Sequence, residues 1–137
     1  MDTYQLLEHA KFSDAPTGNA TALHKSKYGR VIVFALRDGQ ALSEHAAPAP
    51  VNVVVIQGRA IFTGREGVDV AVVAPALLTM SPGENHSVRA DGEDLVFAVV
   101  MGNATPADED TDPGLSDKPT AKLRNVSNEP TTDPIGE

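Results

Sequence analysis

The sequence predicts an all-β domain, a small antiparallel barrel, and three observations carry that prediction. Apolar, β-branched runs of five to eight residues recur along the first hundred positions. Gly, Pro and Asp-Gly pairs punctuate them at steady intervals. No stretch holds the 3.6-residue apolar period of a helix for more than a few residues.

The elements follow in order. Tyr4–His9 is the one short segment with helical character. Arg30–Leu36 (RVIVFAL) is a strand closed by the turn pair Asp38-Gly39. Asn52–Gln57 (NVVVIQ) is a second strand, and Gly58 turns it into Arg59–Thr63 (RAIFT). Gly64-Arg65-Glu66-Gly67 marks a tight turn leading into Val68–Val73. Ala76–Met80 precedes a Ser81-Pro82-Gly83 turn, His86–Ala90 comes next, and Asp91-Gly92-Glu93 reverses the chain into Asp94–Met101. Several of these strands are apolar on both faces. That pattern suits a sheet with one face in a barrel and the other against a second sheet or subunit.

The domain is therefore drawn as residues 1–102, followed by an acidic, disordered tail over 103–137. The tail holds five prolines and only scattered apolar residues, too few to offset the entropy of ordering it. It also carries eight acidic residues against three basic ones, and so most of the net charge of −8. A nearly balanced body with an acidic appendage lacks the basic face that a phosphate backbone demands, which argues against nucleic acid as a partner. Six aromatic residues are too few for a base-stacking platform.

There is no cysteine, which removes disulfides, zinc–thiolate sites and thiol nucleophiles. No apolar run is long enough to span a bilayer and the N-terminus does not read as an export signal, so the expectation is a cytoplasmic protein without membrane association. The serines near histidines lack a G-x-S-x-G elbow, and the Gly64–Gly67 turn lacks the Lys-Ser/Thr pair of a phosphate loop.

Two segments carry a resemblance. In GQALSEHAAPAPVNVVVIQG, Gly39, His45 and Gly58 stand at the spacing of the first cupin motif. In SPGENHSVRA, Gly83 and His86 match the second. The resemblance covers roughly residues 28–101 and implies the cupin double-stranded β-helix, a jelly-roll barrel. In that family two histidines and a glutamate of the first motif, with the histidine of the second, usually hold a divalent metal. Here Ala47 stands at the second histidine and Val51 at the glutamate. Pro75, Ser81 and Ala90 replace a glycine, a proline and an asparagine of the second motif.

The candidate metal ligands are thus His45 and His86, for Zn, Ni, Fe or Mn, without the anionic ligand that offsets a dication. Residues 45, 47 and 51 share one strand parity, which points Ala47 and Val51 inward beside His45, with Val53 and Val55 continuing the row. With Val88 these form the expected pocket. His24, Gln57 and Glu44 are the remaining candidates to complete a ligand set; Glu44 should face away from His45, and His24 reads as a surface residue. No catalytic residue is assigned. The function expected is a small-molecule binding or sensing cupin with a degenerate metal site. The alternative is a metal-dependent cupin enzyme of dioxygenase or isomerase type using His45 and His86. Apolar strand faces further suggest a homodimer about a two-fold axis.

Overall fold

In the computed structural model, residues 1–103 are described, and the expected tail lies outside them apart from Asn103. A 3-10 turn, Leu6–His9, precedes nine strands: β1 (Asn19–Ser26), β2 (Gly29–Leu36), β3 (Ala41–His45), β4 (Val51–Gln57), β5 (Arg59–Thr63), β6 (Asp69–Val73), β7 (Ala76–Met80), β8 (His86–Ala90) and β9 (Leu95–Gly102), with a second 3-10 turn, Arg65–Gly67, between β5 and β6. They form a five-stranded sheet in the order β1-β2-β9-β4-β7 and a four-stranded sheet in the order β3-β8-β5-β6. Every pairing is antiparallel.

The alternation of side chains builds the interior. On β4, Val51, Val53 and Val55 are buried and Asn52 and Val54 are exposed. On β9, Leu95, Phe97 and Val99 join the same cluster, and Ala60, Phe62, Val88 and Ala90 meet them from the smaller sheet. Phe97 lies at the centre, stacked on Phe34 at 5.0 Å and edge-on to Phe62 at 6.1 Å.

The outer face of the larger sheet explains why β2 and β9 are apolar on both sides. Val33, Val96 and Ala98 form a second, smaller core, covered by Leu6, Ala10 and Phe12 of the N-terminal segment. The cover stops short of one strip. Val54, Leu77 and Val100 on β4, β7 and β9 remain exposed on that face.

Gly58 makes the β4–β5 turn at φ +92°, and a Cβ there would meet the Asp94 carbonyl oxygen at 2.0 Å. Only glycine can take that conformation so close to a neighbouring backbone.

The structure departs from the sequence expectation at two strands. Neither β1 (NATALHKS) nor β3 (ALSEH) was anticipated. β1 is a sheet edge with only Asn19, Thr21 and Leu23 partly buried. β3 is the corresponding edge of the smaller sheet, with no fully buried residue. The placement of residues 45, 47 and 51 on one strand also fails. β3 ends at His45, and residues 46–50 form a connection before β4 begins at Val51. Pro48 and Pro50 lack the N–H groups a continuous ladder would need.

Candidate functional site

The two histidines are cross-strand partners. His45 closes β3, His86 opens β8, and the two are paired in register. Their rings lie 4.4 Å apart between centroids, inclined at 60°. His86 is 8% exposed, whereas His45 stands exposed at the rim.

Both rings are held in the same way. The Nδ1–H of His45 donates to the Ser43 carbonyl at 2.8 Å, and the Nδ1–H of His86 donates to the Glu84 carbonyl at 3.0 Å. A carbonyl oxygen only accepts, so each contact places the proton on Nδ1. In the neutral rings, Nε2 of each histidine is left as a bare acceptor.

The pair borders a cavity of about 70 Å³ inside the barrel. Ala47, Val51, Val53 and Val88 line it. Val55 does not. It is 0% exposed and belongs to the solid part of the core rather than to the lining. The cavity ends before the buried row of β4 valines does.

Sequence reasoning missed much of the wall: Phe34, Leu42, Phe62, Phe97, Val99 and Met101. The signal existed, since these are alternate residues of apolar strands. A strand apolar on both faces does not reveal which alternate set turns inward.

The other candidate ligands lie elsewhere. His24 is exposed on β1 and borders a separate depression with Tyr4, Leu6, Leu23 and Val31. Gln57 and Glu44 are exposed and are not part of the cavity lining. Among the described residues, no group of three or more His, Asp or Glu side chains is placed to hold a metal ion. The cavity wall offers a cation two neutral imidazoles and no carboxylate, with hydrocarbon from Ala47 and Val51 at the other two motif positions. A dication stripped of water needs more ligands and some negative charge, so this donor set does not fit a tightly held metal.

The site therefore belongs to a definite class: a two-sheet antiparallel β-barrel with an apolar interior and a histidine pair at its mouth. Solved structures share the architecture. An RmlC-like cupin protein from Desulfovibrio desulfuricans matches with 26% identity over 74% of this chain and 96% of that one, at a TM-score of 0.68. A protein with a double-stranded β-helix domain from Klebsiella pneumoniae matches with 22% identity over 77% of this chain and 94% of that one, at 0.70. An RmlC-like cupin from Methanocaldococcus jannaschii gives 16% identity over 74% and 94%, at 0.61. No family sequence model matches the chain, and neither does any curated protein sequence. This chain shares the fold of those solved structures, the cupin double-stranded β-helix, with His45 and His86 paired at its mouth.

Proposed function

We propose that this cupin is a small-molecule binding or sensing module with a degenerate metal site, which takes a compact, largely hydrocarbon ligand into the barrel. The observation that carries this reading is the composition of the wall. His45 and His86 are the only polar side chains among its lining residues, and the rest are aliphatic, aromatic or thioether. A sugar or a phosphate would leave most of its polar groups unpaired in such a space, at a cost of roughly 1–3 kcal/mol each. A hydrocarbon body with one polar head would not. The volume sets the scale. A dry apolar cavity of roughly 150 Å³ holds benzene, so about 70 Å³ accommodates about three or four heavy atoms, with the remainder at the open mouth.

The protein acts in this reading as a homodimer. In the strip Val54 pairs with Leu77, and Val100 pairs with Asn52, which in turn pairs with Thr79, so these positions carry no charge. A second copy can cover it without bringing like charges together, despite the net charge of −8. Among the described residues no helix is long and apolar enough to cross a membrane.

Thermal unfolding with and without chelator, alongside elemental analysis per chain, tests the function. Metal-free protein should keep its full melting temperature, and small branched alcohols or ethers should raise it. One tightly held metal ion per chain after purification would overturn the reading and bring the dioxygenase or isomerase alternative to the front.

A further inference from the structure

We infer that the ligand's polar head is a hydrogen-bond donor, a neutral hydroxyl or amide N–H, and not a carboxylate. This deepens the binding function proposed above and rests on it. The argument starts from the matched anchoring of the two rings. Each Nδ1 is committed as a donor to the carbonyl two residues earlier in the chain, Ser43 for His45 and Glu84 for His86. The committed proton cannot also serve a ligand. What the neutral rings have left is a lone pair on each Nε2, and the two rings, in edge contact with each other, both border the cavity.

The lining contains no donor that could answer an anion. It has no Arg, Lys, Ser, Thr, Asn or Gln side chain. His86 also borders a second groove, whose lining includes Arg65, Glu66 and Glu84. Two of those three are acidic, and Glu84 is already engaged as acceptor from the Ser81 N–H at 2.9 Å. A carboxylate would face two lone pairs in an apolar space and lose its water shell with no donor in return. A hydroxyl would lose one hydrogen bond to water and regain it at Nε2.

Two measurements test this at slightly alkaline pH, where ordinary imidazoles are neutral. The first reads the tautomer directly, from long-range proton–nitrogen correlation NMR on the full chain. Both His45 and His86 should show the proton on Nδ1; a proton on Nε2 in both rings overturns the inference. The second compares isobutanol, isobutyl methyl ether and isobutyrate by titration. The alcohol should bind about tenfold tighter than the ether, which has no donor, and isobutyrate should bind more weakly than either. His45→Leu, at an exposed position, should reduce the preference of alcohol over ether. Equal binding of alcohol and ether, or tighter binding of isobutyrate, would refute the donor requirement and leave the binding function standing. Failure of all three probes to bind would refute the binding function itself.

Discussion

Replacing Phe97 by alanine probes the interior where it is most densely organised. Phe97 is 2% exposed, stacks on Phe34 at 5.0 Å with planes 8° apart, and meets Phe62 edge-on at 6.1 Å. Truncating a buried Phe to Ala costs about 3–5 kcal/mol in transfer and cavity terms. Here two aromatic contacts disappear together, each worth roughly 0.5–1.5 kcal/mol beyond area, which places the loss near the upper end, at about 4–5 kcal/mol. A domain of this size has roughly 5–15 kcal/mol in total, so the variant should fold but only marginally. Its melting temperature should fall by roughly 15–40 °C.

The chain lacks tryptophan, so urea unfolding is best followed by far-ultraviolet circular dichroism. The midpoint should drop at unchanged slope, since the surface exposed on unfolding is nearly the same. The same change merges a ring-sized space with the existing cavity that Phe97 lines. Benzene should therefore raise the melting temperature of the variant and leave the wild type nearly unmoved. A loss below about 1.5 kcal/mol, or a benzene response equal in both proteins, would refute this account of the core.

Gly58→Ala should cost at least about 2 kcal/mol, because a Cβ at φ +92° would press within 2.0 Å of the Asp94 carbonyl oxygen; urea midpoints check it. The double variant Ala47→His, Val51→Glu restores the two family ligands at positions that line the cavity. It should bind Zn or Ni stoichiometrically, and added metal should restore the stability lost by burying an uncompensated carboxylate. Light scattering at micromolar concentration should give twice the 14.4 kDa chain mass. Leu77→Lys, in the exposed apolar strip, should shift the mass toward that of a single chain.

The strands that could be read from the sequence are those whose burial is written in β-branched residues. Val53, Val55, Phe62 and Val99 sit in such runs, and all belong to the core. β1 and β3 escaped because they are sheet edges, where one side needs no partner strand and few side chains are enclosed. Lys25, Ser43 and Glu44 are as acceptable there as valine. The histidine pair was legible from spacing alone, since Gly39, His45, Gly58 and His86 keep the family's intervals. Their ring anchoring was not. The bonds from Nδ1 run to backbone carbonyls, which every residue carries and no sequence pattern marks. The parity argument that set Ala47 and Val51 beside His45 on one strand fails in its premise. Both reach the cavity, but from a loop and from a different strand.

The position of β9 bears on how the domain comes into being. It is the last of the described strands to leave the ribosome, yet it occupies the middle of the larger sheet, between β2 and β4. Arg30 finds its partner at Met101, and the N-terminal residues Leu6, Ala10 and Phe12 rest on a surface that includes Val96 and Ala98. Nascent chain must therefore wait, its earliest segment without a resting place, until nearly the whole domain has been synthesised. Contacts so distant along the chain make assembly slow and all-or-none.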